Sequence, residues 1–237
     1  MDIRDKLNSK ENYQEIIKQQ REYIQEELDD LDGYNLEETE KIRDTYQTLM
    51  KYSLDNLIAA YSMGEAIEVI EREYLIIIDY FQHAWSQSNG YVQMVWMLSI
   101  GTMLNVEQEQ FLKLAECIKK DNPNDFLIDF LISSRIGNWA NHESFKFPRP
   151  YKSILEVVNL AKDDKVKASE RLLQYLQKEW YKGHSDSGWY DAHKSKWNIY
   201  TGYWSFESGA IAKILGLDDS ALKDQQYYPY DLVHWKA

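Results

Sequence analysis

The chain has 237 residues, 44% of them hydrophobic and 14% aromatic, with only 10 glycines and 4 prolines. That length and apolar content exclude a disordered chain and suffice for a sizeable core, as one large or two modest domains. The formal charge of −12 argues against direct nucleic-acid binding, which needs a basic footprint. It sits unevenly: residues 1–120 hold 23 acids against 12 bases, the remainder 16 against 15.

Apolar residues recur at spacings of three and four throughout, which predicts an all-α fold. The first long helix places Tyr13, Ile16, Ile17, Tyr23, Ile24, Leu28 and Leu31 on one arc and ends at Gly33. Asn35 is the expected N-cap of a second helix, about Leu36 to Tyr61, buried through Ile42, Tyr46, Leu49, Leu57 and Ile58. A third runs from about Gly64 to Trp85, and Val92 to Ile100 is apolar on nearly every side. Two helical pairs follow, Glu107–Lys120 with Asp125–Ile136, and Lys152–Lys162 with Val166–Lys182. Between them lies an irregular loop, Gly137–Pro150, whose Trp139, Phe145 and Phe147 should pin it to the body. The last helix spans about Trp204 to Leu215 and stops at Gly216. The expected architecture is a multi-helix bundle with stacked antiparallel hairpins. Its two packed portions are an acidic domain over 1–120 and a second domain over 121–237.

Several functional classes find no footing. Cys117 is alone and suits a small core side chain. His83, His142, His184, His193 and His234 are scattered without a metal-binding spacing, and no nucleophile elbow or phosphate-cradling glycine loop is present. A helical metal-dependent hydrolase using His83 is the residual enzymatic alternative. No cofactor is expected. The polar N-terminus lacks a secretory h-region, and no apolar run reaches the roughly 18 residues of a membrane span. A soluble, cytoplasmic protein is the expectation.

Residues 22–40 carry nine acids and no Lys or Arg. On helical geometry Glu22, Glu26, Asp29 and Asp30 face away from the apolar stripe, with Glu37 and Glu38 just beyond. Like charges four residues apart repel, so local helix stability does not favour this pattern. It fits a partner-binding face for a cationic protein, and it fits a merely solvated face as well.

Between Lys194 and Leu232 the chain packs eight Tyr, Trp and Phe residues around one amphipathic helix. Phe206, Ala210, Ile211 and Ile214 sit at core spacing, and Tyr203 and Trp204 stand at the helix start. Glu207 suits the first turn, or a partly buried pairing with Lys194 or Lys196. Tyr227 to Asp231 reads as an extended strap, because Pro229 forces its predecessor out of helix. The ordered words Gly202-Tyr203-Trp204-Ser205-Phe206-Glu207, Ala210-Ile211-Ala212-Lys213, Leu215-Gly216-Leu217-Asp218-Asp219 and Tyr227-Tyr228-Pro229-Tyr230-Asp231-Leu232 resemble the C-terminal half of the PoNi family. These are immunity proteins that neutralise PoNe-type DNase toxins. The resemblance implies a two-part helical protein and, as partner, a cognate DNase toxin with a PD-(D/E)xK-type nuclease domain. It also implies that the chain acts by binding rather than by catalysis. A helical scaffold for an unrelated protein is the non-enzymatic alternative.

Overall fold

The structure, a computed structural model, describes residues 2–236. Among them there is no β-strand, so the all-α expectation holds. The chain forms two compact units, residues 1–90 with 191–203, and residues 91–190 with 204–237.

The first unit is built on α1 (Lys10–Gly33), α2 (Thr39–Met63) and α3 (Ile67–Ala84), with α2 packed along both of the others. Ser9 caps α1 through its side chain, which accepts from Asn12 N at 3.1 Å. The core face of α1 is Tyr13, Ile16 and Ile17, while α2 buries Leu49, Leu54, Leu57 and Ile58 and α3 buries Ile70, Tyr74, Ile77 and Phe81. Asn35 is not the cap of α2. The Glu38 carboxylate accepts from Asn35 N at 2.9 Å, and Glu38 N donates to the Asn35 carbonyl at 2.9 Å. This local turn delays the helix to Thr39 and leaves Leu36 almost fully exposed. The segment 191–203 returns to this unit, where the Tyr13 and Tyr200 hydroxyls both donate to the buried Asp5 carboxylate.

Helix α4 (Gln87–Leu104) departs from helical geometry at Gly90, where the first unit ends. From Met94 to Leu104 it is almost wholly buried, as its predominantly apolar sequence requires, with Ser99 and Thr102 buried among the hydrophobic side chains. The unit also holds α5 (Gln108–Lys120), α6 (Phe126–Ser133), α7 (Pro148–Leu160) and α8 (Lys165–Gln174), with α7 packed on both α6 and α8. The single helix expected over 166–182 is interrupted: a π turn occupies Tyr175–Trp180 before α9 (Tyr181–Gly183). Bonding from i to i+5 brings residues five apart onto one face, which lets Tyr175 and Trp180 both bury. Helix α10 (Phe206–Leu215) ends at Gly216 in the left-handed region, and α11 (Tyr230–Val233) closes the chain. At Gly209 of α10 a Cβ would stand 2.6 Å from Met103 Sδ and 2.7 Å from Pro229 Cγ, so only glycine permits this approach of α4, α10 and the Pro229 turn. Lys213 of α10 donates to the carbonyls of Met103, Val233 and Trp235 at 2.8–2.9 Å and so ties down the C-terminus.

Candidate interaction surface

In the first unit the structure gathers the predicted acids of α1 on one solvent-facing strip. Glu22, Glu26, Asp29 and Asp30 are exposed, and with Glu11 and Glu15 they span about 100° of the helix circumference. Lys18 approaches Glu22 at 3.8 Å, but both side chains are mostly in water, so the pair contributes little. Asp29 accepts from Gln25 Nε2 at 2.8 Å. Among the described residues, no cation lies within ion-pair distance of Glu26, Asp29 or Asp30. Glu27, half-buried beside them, has its carboxyl raised above the usual range by burial first and by the Asp30 charge second. The last turn of α1 holds no basic residue, so Asp29 and Asp30 stand against the negative end of the helix dipole. Helix stability alone does not account for the strip.

Glu37 is exposed in the link after α1, while Glu38 is engaged locally. The Lys41 ammonium at 2.7 Å holds the Glu38 carboxyl below its usual range, with help from the Asn35 N–H. Flanking the strip is a shallow groove of about 520 Å³ lined by Gln14, Ile17, Lys18, Arg21, Glu22, Gln25 and Met63. The Arg21 charge there is met by Glu73 at 3.1 Å.

The C-terminal motif is mostly interior. Tyr203, Trp204, Phe206, Glu207, Tyr228 and Pro229 are buried, Tyr230 is partly exposed against His234, and Asp231 is exposed in the first turn of α11. Glu207 is fully buried rather than paired with a lysine. Its Oε1 accepts from the Tyr175 hydroxyl at 2.9 Å and the Ser205 hydroxyl at 2.8 Å, and burial pushes the carboxyl up to about 7. The Trp180 indole faces the same carboxyl without completing a hydrogen bond to Oε2. The expected strap is corrected too: Tyr227 takes φ +78°, and its carbonyl accepts from Ser205 N at 2.8 Å. Tyr228 bonds Asp219 at 2.8 Å, and the chain turns helical at once.

Two buried aspartates, unremarked in the sequence, organise the 137–150 loop. Asp129 accepts from Trp139 Nε1 at 2.9 Å and from His142 N at 2.8 Å, and His142 Nδ1 lies at 2.6 Å. Asp125 caps α6 and accepts from Lys146 N at 2.8 Å. Phe145 packs on Phe126 and Phe147 on Tyr91, so the aromatics do pin the loop, with carboxylates fixing its backbone. His83 stacks on Tyr46 with ring centroids 4.2 Å apart, and His184 is buried against Trp180 and Trp189, its pKa lowered to about 4 by desolvation. Cys117 is buried in α5 and its thiol is pushed up to about 11. Among the described residues, no group of three or more His, Cys, Asp and Glu side chains converges to hold a metal ion. None of the described helices is long and apolar enough to cross a membrane.

Two family models match in tandem, the N-terminal model of the PoNe immunity proteins (PoNi) over residues 4–116 and the C-terminal model over 123–232. The chain belongs to the PoNe immunity protein family. Membership makes it an immunity protein of the kind directed against a nuclease toxin, and the second match spans the whole C-terminal motif. The fold is also that of the crystal structure of protein PA2201 from Pseudomonas aeruginosa. That likeness has a TM-score of 0.76 and 18% identity, and it covers 99% of this chain and 90% of that one. Among curated proteins, none matches this PoNi chain.

Proposed function

We propose that this PoNi protein binds a cognate DNase toxin stoichiometrically and silences it by occupancy, with Glu22, Glu26, Asp29 and Asp30 facing the toxin and Glu37 and Glu38 at the margin. The observation that carries the reading is the exposed acid strip on α1, where the single weak Lys18–Glu22 pair leaves Glu26, Asp29 and Asp30 without a cation at ion-pair distance among the described residues and where no base offsets the last turn. A DNase presents positive charge to phosphates, so a rigid row of carboxylates competes for the same surface. It steers encounter at long range and forms charge-assisted hydrogen bonds on contact. The chain performs no chemistry and needs no cofactor in this mechanism. It acts in the cytoplasm, where the chromosome is the toxin's substrate.

The test is co-expression with the nuclease encoded beside the immunity gene, scored by survival and by DNA integrity, alongside binding to the purified toxin. Charge reversal at Glu22, Glu26 and Asp30 together should slow association by ten-fold or more at low salt and flatten its salt dependence. Unchanged association by a folded triple variant moves the interface off α1. Continued DNA loss in cells carrying the wild-type protein removes the function itself.

A further inference from the structure

The first unit carries a second exposed feature at the N-terminal end of the acid strip. Trp197 is 67% exposed and Ile199 58%, although a tryptophan is usually among the most covered side chains. Neither sits on a loose loop. Between them Asn198 Nδ2 donates to the Asn12 carbonyl and to Glu15 Oε2, both at 3.0 Å. Immediately after them Tyr200 is buried with its hydroxyl on Asp5, and the Thr201 carbonyl accepts from Ser62 Oγ at 2.8 Å. Before them His193 N donates to the Tyr203 hydroxyl at 3.2 Å and its Nδ1 lies 3.0 Å from the same oxygen, while Trp197 N donates to Ser195 Oγ at 3.1 Å and the Lys196 ammonium lies 4.9 Å from the Trp197 ring centroid. The arm is thus fastened on both sides of two outward apolar side chains.

Glu15, which holds the arm, shares a helix face with Glu22: seven residues advance about 10 Å and return within about 20° of the same direction. Asp29 lies a further seven residues on. An apolar knob therefore heads a carboxylate row about 20 Å long, which matches the span of one side of a standard protein–protein interface. Tightly bound interfaces join a few rigid aromatic anchors to a charged surround.

Resting on the immunity reading, we propose that Trp197 and Ile199 are the apolar anchor of the toxin interface. The nuclease inserts an apolar recess over them while its cationic surface runs along Glu11, Glu15, Glu22, Glu26 and Asp29. Charge complementarity selects this occupant: a knob beside a dense anionic row repels a second copy of this acidic chain. A pre-fastened arm loses little conformational freedom on binding, so the anchor contributes to affinity chiefly by slowing dissociation.

The test uses the full chain and the purified nuclease as an active-site variant, with rates measured at low and physiological salt. Trp197→Ala should accelerate dissociation by about 30-fold or more, leaving association and its salt slope unchanged. The triple charge reversal should do the opposite, slowing association and altering its salt slope. Trp197→Phe should recover much of the lost residence time. Unfolding midpoints should match the wild type, because the substituted ring faces water. Wild-type protein that binds while Trp197→Ala binds equally well overturns the anchor and leaves the immunity reading intact. Wild-type protein that binds no neighbouring nuclease overturns both. A wild-type dimer that Trp197→Ala converts to monomer also overturns the proposal, by assigning the knob to self-association.

Discussion

The carboxylates of α1 and those of the second unit meet opposite environments. On α1 Glu22, Glu26, Asp29 and Asp30 lie in water beside one another, where they weaken the helix slightly and hold no other segment. In the second unit Asp125, Asp129 and Glu207 are buried, and each is met by hydroxyl, indole or backbone N–H donors. Their desolvation is offset only because those donors are in place, so these acids specify the fold. The contrast separates two jobs for one functional group. Exposed unpaired carboxylate leaves surface available to a partner, whereas buried bonded carboxylate organises the chain.

Substitutions in the buried set should therefore act on stability. The largest effect is expected at Trp204, which is 7% exposed: Trp204→Ala should cost about 3–5 kcal/mol in denaturant unfolding. A near-native midpoint would remove the motif from the core. Glu207 should reveal itself through pH. Below about 4.5, its ordinary value, the folded and unfolded chains both hold the proton. Between there and about 7 the unfolded chain has released it and the folded chain has not, so stability falls as pH rises. The whole loss is about 3 kcal/mol at most, at 1.36 kcal/mol per pH unit. Asp55, raised to about 6 by burial, adds a slope of the same sign, so the difference between wild type and Glu207→Gln isolates Glu207. Parallel pH profiles would show that Glu207 ionises freely in the fold.

This division was only half legible in the chain. Period-3.6 patterning located the helices and their inward faces, because burial of one stripe is a local consequence of sequence spacing. The α1 acid strip was legible for the same reason. What escaped depends on partners distant in sequence. Nothing near Glu207 announces Tyr175, thirty-two residues earlier, and nothing near Asp129 announces the loop it binds. The π turn at Tyr175–Trp180 likewise answers to packing of large rings, which no local period encodes. Asn35 failed as a cap because Glu38 reached back to its backbone, a competition between two short-range options. Trp197 carried only the polar run Lys194-Ser195-Lys196 before it and Asn198 after it, which does not tell an outward ring from an inward one.

A smaller effect should follow from the loop clamp. Asp129→Ala leaves the Trp139 indole and the His142 N–H without their acceptor, which should cost about 1–3 kcal/mol. Amide exchange at His142 should rise more than exchange within α4, because the damage begins at the loop. A uniform rise across the second unit would mean instead that the loop and the core open together.

The smallest stability effect should come from α1, and its sign sharpens the contrast most. Glu26 stands four residues from both Glu22 and Asp30. Glu26→Lys converts two repulsions into attractions and sets a cation nearer the helix C-terminus. Stability should therefore rise, by about 0.5 kcal/mol, while association with the toxin slows. A variant that gains stability and loses binding identifies a residue retained against the interest of its own helix. If Glu26→Lys instead destabilises the protein, the strip takes part in folding, and exposure alone cannot be used to assign it to a partner.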